Sequence, residues 1–414
     1  MDIKMMKRAV ILVCALLLSS VSVSAQDWPQ WGGPARDFKS GVKGLAAAWP
    51  EGGPRKIWSR ELGEGYSSVA VEGGRLYTML RRGEREVVVA LDAATGKTLW
   101  EYAYDASFGP EYSMENGPGP HSTPTVAGGR VFTTGATGKL HALDAARGKL
   151  VWAHDLMGEF KGTVRVNGYA CSPVVYGEHV IVQVGGAGAA VVAFRQKDGA
   201  VAWKRHDFKN SPASPLVIKV DGHDQLVAFM YDTVVGLDPR GGDLLWSYPH
   251  PTEFGLNVST PVWGDDGLLF LSSSYGGGSR VLRLKVAGGR TTVEEVWAHK
   301  LMRVHFGNAV RLGDTVYGSS GDFGTAPLTA VDVKTGKVLW RERGLARASF
   351  VSAEGRLILL DEDGHLALAT PTPEGLKVHS KVALLDGNAW TVPALAGTRL
   401  YVRDRRRLMA LELK

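Results

Sequence analysis

The chain has 414 residues, 44% of them hydrophobic and 22% charged, with a net charge of +6. Lys4, Lys7, Arg8 and Asp2 contribute +2 of that within the first 25 residues, which leaves +4 for the remainder, too little and too scattered for a nucleic-acid-binding face. The two cysteines, Cys14 and Cys171, exclude a multi-cysteine zinc site and a Cys-x-x-Cys-His haem site.

Residues 1–25 read as an export signal: a basic start, an apolar run over 9–18 and the small-residue sequence Val23-Ser-Ala25. The apolar run is short for a membrane span, and no later run is longer. Val13 stands before Cys14 where a lipoprotein box needs a small residue, so a lipid anchor is not expected. Without Cys14 the exported chain keeps Cys171 and no disulfide partner. A periplasmic or secreted, monomeric protein is the expectation. Residues 26–55 are rich in Trp, Pro and Gly, as in Asp27-Trp-Pro-Gln-Trp-Gly-Gly-Pro34. Pro and Gly discourage long regular elements there. The rings of Trp28, Trp31 and Trp49 predict packing against a larger body.

From residue 56 onward one unit repeats. Leu91-Asp-Ala-Ala-Thr-Gly-Lys-Thr-Leu-Trp100 has close copies ending at Trp152, Trp246 and Trp340, and a weaker one ending at Trp203. In each close copy an Asp stands eight positions before the Trp. The Asp suits a turn, because its carboxylate accepts from backbone N–H groups ahead of it. Gly96, Gly148, Gly199, Gly242 and Gly336 hold one place in that turn, where a left-handed backbone is expected. A second hairpin precedes each copy, as in Val69-Ala-Val-Glu-Gly-Gly-Arg-Leu-Tyr77. One unit is therefore four antiparallel strands, and units of this kind bury both faces only by radial repetition.

Seven Trp markers end successive units: Trp58, Trp100, Trp152, Trp203, Trp246, Trp297 and Trp340. His379 is read as the eighth marker, with its Trp lost. Trp58 has no strands of its own before it, and residues 391–413 supply three strands with no fourth. Residues 56–62 are expected to complete that last unit. The prediction is an all-β, eight-bladed β-propeller of four-stranded blades over 56–414, with seven blades as the alternative.

The Asp-x-x-Thr-Gly-x-x-x-Trp unit resembles the tryptophan-docking repeat of the pyrroloquinoline quinone (PQQ)-like propellers. That superfamily includes quinoprotein alcohol dehydrogenases and BamB, the outer-membrane assembly lipoprotein. The resemblance covers residues 56–414 and implies that the seven Trp pack between neighbouring blades. The Trp-Pro-x-Trp opening resembles secreted members of the superfamily.

Each innermost strand begins with small residues, preceded by groups that should rim the central channel: Tyr66, His121, Tyr169, Asn257, His305, Asn308, Arg347, Asn388 and Trp390. Two long connections, 105–120 and 155–169, should emerge beside them and add Glu111, Tyr112, Met114 and Glu115. The Arg403-Asp-Arg-Arg-Arg407 cluster reads as a solvated turn, and Cys171 as a small core residue. The dehydrogenase resemblance would imply PQQ on an aromatic floor, for which Trp390 or Trp263 is available, beside a Ca²⁺ held by carboxylates. No matching set of Ca²⁺ ligands maps onto this chain. The expectation is a non-enzymatic propeller with no cofactor or metal that binds a small ligand or an envelope protein at its funnel. The alternatives are a PQQ- and Ca²⁺-dependent oxidoreductase and an assembly scaffold like BamB.

Overall fold

A computed structural model describes residues 27–414, apart from Glu111, Met114, Asn116, Arg165 and Phe323. The expected export signal lies outside the described residues. Eight four-stranded antiparallel sheets form the ring, each running from an inner to an outer strand. Blade 1 comprises Ala70–Glu72, Arg75–Arg82, Arg85–Asp92 and Thr98–Asp105. Its third strand carries the run Val87-Val-Val-Ala-Leu91, which is buried on both faces because blades pack against both sides of it. An unbroken apolar run of this length is what such a doubly covered strand requires.

Blades 2 to 7 follow in order. Their inner strands are Thr125–Ala127, Val174–Tyr176, Leu216–Val220, Val262–Gly264, Val304–Leu312 and Ala348–Ala353. Blade 8 closes the ring. Its three C-terminal strands, Ala394–Ala396, Arg399–Arg403 and Arg407–Glu412, take Arg55–Glu61 as their outer strand. Among the described residues the single α-helix, α1, spans Leu156–Phe160 in the connection 155–169, where the sequence reading had only a loop. Asp155 caps it by accepting from the Met157 and Gly158 N–H groups.

The repeat turn works as its residues suggest. Asp92 Oδ1 accepts from the Ala94 and Thr95 N–H groups and from the Thr95 hydroxyl. Five Trp rings lie over the turn glycine of the next blade, with Trp100 on Gly148 as the type case: a Cβ on that glycine would sit 2.4 Å from the ring. The indole N–H then donates to a carbonyl of the same turn, as in Trp100 Nε1 to Ala145 O (3.0 Å) and Trp152 Nε1 to Gln196 O (2.9 Å).

Three markers depart from this pattern. Trp340 keeps the carbonyl bond, to Thr372 O (2.9 Å), but does not cover Gly375 of that turn. Trp246 donates to Gln225 Oε1 of its own blade, because blade 5 turns through Gly288-Gly289 between two ten-residue strands and offers no Asp-Thr-Gly turn. The eighth marker is displaced by one residue. In blade 2 the β-bulge leaves Trp152 opposite Ala142; the same bulge in blade 7 leaves Ser380, not His379, opposite Leu368. His379 instead bonds Thr370 within its own blade. The Ser380 hydroxyl accepts from Trp49 N–H (2.7 Å) and donates to Trp49 O (3.3 Å), so the N-terminal segment places a buried Trp beside the blade that lost one.

That N-terminal segment also fills one mouth of the channel. Trp28 pairs with Val71, and Pro29 O accepts from Val126 N–H. Arg36, 3% exposed, donates to the carbonyls of Pro215 (2.7 Å) and Pro173. Lys39–Ser40 adds a short parallel strand to the inner strand of blade 7.

Candidate functional site

At the opposite mouth the starts of the inner strands surround a cavity of about 490 Å³. One wall is a continuous belt of rings. His121 stacks on Tyr66 (5.7 Å between centroids), Tyr66 on Trp390 (5.2 Å), and Trp390 meets Phe306 (4.9 Å). The belt continues from Phe306 to His305 (4.8 Å), from His305 to Tyr275 (4.8 Å) and from Tyr275 to the exposed Phe254 (5.1 Å). The other wall is made of small or compact residues, Ala170, Ser172, Pro212, Ser214 and Val258. This asymmetry follows from sequence: strands that begin with small residues recede, and those preceded by rings project. The floor is Trp31 of the N-terminal segment. Its indole N–H donates to Thr260 Oγ1 (2.8 Å), and its ring stands edge-on to the buried Phe38.

Arg347 supplies positive charge on the aromatic side. Its guanidinium lies 4.8 Å from the Phe306 ring centroid, a cation–π contact. Nη2 donates to Asp322 O (3.2 Å), Nη1 stands 3.7 Å from Glu362 Oε2, and Nε has no acceptor among the described residues. The Glu362 carboxylate already accepts from Trp390 Nε1 (3.1 Å). The Asp322 carboxylate accepts from Arg303 Nη1 (2.6 Å) and from Tyr275 N–H.

Burial depresses both funnel imidazoles. His305 is lowered to about 4, by desolvation first and the nearby Arg347 charge second. His121 is also lowered to about 4 by desolvation, and its Nε2–H donates to Asn167 O (2.9 Å). Both rings are neutral at pH 7, where they offer flat surface rather than charge.

The rim expected from sequence is only partly assembled. Tyr66, His121, His305, Arg347 and Trp390 line the cavity together. Tyr169 does not: it is 1% exposed between blades, with its hydroxyl on Gln183 O (2.6 Å). Asn257 and Asn308 are also buried ties. Asn257 Nδ2 donates to Met230 O, and Asn308 bonds both backbone groups of Phe350. Asn388 is exposed but lies in a separate recess with Arg405 and Arg406. Tyr112 packs on Phe108, away from the cavity lining. Glu111 and Met114 lie outside the described residues, whereas Glu115 reaches the rim. Trp263 belongs to the opposite face, near Arg36 and Lys39, and cannot be a floor here.

Trp31, Tyr275, Phe306 and Asp322 were missed. Trp31 was visible as a buried-type ring, but nothing in its local sequence says which mouth it closes. His121 and His305 are separated by three rings of the belt. Cys171 is buried, its thiol pushed up to about 12 by desolvation and held on Ser211 O (3.0 Å). Among the described residues no three His, Cys, Asp or Glu side chains cluster as metal ligands.

The family described as outer membrane protein assembly factor BamB matches residues 41–112 and 84–342. The chain belongs to the BamB family. It is 25% identical over 323 residues to BamB of Yersinia pestis, covering 74% of this chain and 75% of that one. BamB from Moraxella catarrhalis superposes with a TM-score of 0.62 at 18% identity, over 87% of this chain and 99% of that one. Quinohemoprotein alcohol dehydrogenase from Comamonas testosteroni superposes at 0.66 with 14% identity, over 94% and 80%. At those identities the two solved structures establish the fold alone. Among the described residues no helix is long and apolar enough to cross a membrane.

Proposed function

We propose that this BamB-family propeller serves in the cell envelope as a binding protein that holds a polypeptide partner at its funnel and performs no chemistry of its own. The observation that carries this reading is the funnel itself, a blind cavity walled by rings, with the Asp322 and Glu362 carboxylates beside the rings already engaged. Concave apolar sites with a few convergent polar groups are built for binding. The relative from Yersinia pestis is named an outer membrane protein assembly factor, and the export signal read in residues 1–25 fits an envelope location.

The quinoprotein alternative meets an unsuitable donor set. Calcium takes six to eight oxygens, several from carboxylates. Here Asp322 is held by Arg303, and Glu362 by Trp390 and Arg347. Incubation with PQQ and Ca²⁺ should give no stable complex and no dye-linked alcohol oxidation. Stoichiometric quinone uptake with turnover would reverse the ranking.

A photo-crosslinking residue placed in the host cell at Phe254, on the funnel rim, should capture an envelope polypeptide. The same residue at Leu339, exposed on an outer strand of blade 6, should not. Capture at Leu339 alone would place the contact on the perimeter and overturn the reading.

A further inference from the structure

The funnel is closed behind Trp31, which sets what kind of segment can occupy it. Arg36, Phe38 and the Trp28–Val71 bridge fill the far mouth, so a polypeptide cannot thread the channel. A cavity of about 490 Å³ has the size of a drug-sized ligand, and a few residues of a chain end match that size. A mid-chain segment would have to double back and bring two strands into the same space.

The charges decide which end enters. An amino terminus would look for a carboxylate. Asp322 is bonded to Arg303 at 2.6 Å, Glu362 is shared between Trp390 and Arg347, and Glu115 stands exposed at the rim, where water screens it, rather than desolvated beside the ring wall. Arg347 is the buried cation of the lining: its Nη2 donates to Asp322 O (3.2 Å), but no carboxylate lies within hydrogen-bond distance of it. Its side chain is 9% exposed, its nearest carboxylate is 3.7 Å away, and its Nε–H lacks an acceptor among the described residues. A guanidinium so desolvated and so incompletely paired gains from an incoming carboxylate, its natural planar partner. Beside it, Phe306 and Trp390 form an apolar wall sized for a ring or a large aliphatic group.

We propose that the funnel is a receptor for a polypeptide C-terminus, whose α-carboxylate pairs with Arg347 and whose last side chain, aromatic or large and apolar, lies against Phe306 and Trp390. This rests on the binding role proposed above and names the part of the partner that is bound. Trp31 is then the stop at the bottom of the site. Glu115 at the rim disfavours acidic residues just upstream of the bound end.

The test uses the full exported chain and fluorescent decapeptides read by anisotropy. One decapeptide ends in Phe with a free carboxylate, a second is its C-terminal amide, and a third ends in Gly. The free acid should bind, and amidation or loss of the ring should each weaken binding at least tenfold. In Arg347→Gln, checked for an unchanged melting temperature, acid and amide should bind equally weakly; Arg347→Lys should restore part of the difference. Equal affinity of acid and amide for the unsubstituted protein overturns the proposal and needs no variant. Competition by N-acetylphenylalanine as strong as that of the decapeptide would assign the site to a small organic acid instead and overturn the polypeptide assignment. Rim crosslinks that persist while all decapeptides fail would refute this inference and leave the binding role standing. Loss of the rim crosslinks would remove the role itself.

Discussion

Trp152 touches both blades it joins. It lies against Gly199 and near Phe132 and Phe194, and it is 8% exposed. Trp152→Ala should therefore lower stability by about 3–5 kcal/mol, the cost of an unfilled aromatic cavity, read as a drop in denaturant midpoint. Gly148→Ala tests the equivalent contact one blade earlier, since a methyl there would sit 2.4 Å from the Trp100 ring and the backbone φ is +69°. Both effects oppose folding, and a melting temperature unchanged by this substitution would contradict the ring-on-turn contact. Residue identities forecast this contact well, because a Trp and a Gly recurring at fixed spacing leave few other uses. They forecast the funnel less well. Tyr169, Asn257 and Asn308 precede inner strands just as Tyr66 and His121 do. Which polar side chains turn inward to tie backbone and which face the cavity depends on the neighbouring blade.

At the level of elements, the join between blade 8 and blade 1 relies on a residue that looked solvated. Arg403 is 1% exposed and donates to Ser67 O (2.8 Å), Met79 O (2.8 Å) and Thr78 Oγ1 (3.1 Å). The other three arginines of its cluster form ion pairs, Arg405 and Arg406 with Glu64 and Arg407 with Glu61 and Asp386, while Asp404 is buried and accepts from the Arg406 and Arg407 N–H groups. Five charged residues in a row gave no sign that Arg403 turns inward. Arg403→Ala leaves buried carbonyls without a donor and should cost on the order of 3 kcal/mol. Arg406→Ala, on an exposed and water-screened pair, should leave the denaturant midpoint nearly unchanged. Equal losses in chemical denaturation would refute the distinction. The segment 27–61 contributes more than packing: it supplies the funnel floor, a parallel strand on blade 7, Trp49 beside Ser380 and the outer strand of blade 8. The ring closure was legible, since three strands at one end and one at the other leave a single economical pairing. The plug was not, because its contacts are irregular and carry no periodicity.

Across the whole molecule, buried neutral imidazoles make stability depend on pH. His141 is lowered to about 4 and His250 to about 3, both by desolvation first. In the unfolded chain these groups take up protons near their ordinary value of 6.5, whereas in the fold they resist. Their stability is fully present above pH 6.5 and is lost as pH falls toward 4. Each contributes a slope of up to about 1.4 kcal/mol per pH unit in that window. Urea midpoints at pH 7, 5.5 and 4.5 should fall progressively. His250→Gln should flatten the decline, and an identical slope in that variant would show that His250 is not responsible.

Closure through blade 8 also has a consequence for biosynthesis. The strand Arg55–Glu61 is synthesised before every blade, yet its hydrogen-bonding partner Arg407–Glu412 is the last strand of the ring. At about 5–20 residues per second, roughly 350 intervening residues impose a wait of some 20–70 seconds. During that time the sheet edge has no mate and the ring cannot lock. The final fastening is withheld until Arg407–Glu412 has been synthesised. Truncation after residue 406 should then leave a protease-sensitive, collapsed chain rather than a seven-bladed ring, since Arg55–Glu61 would lose the strand it pairs with and could no longer hold Trp58 against the blade 1 turn.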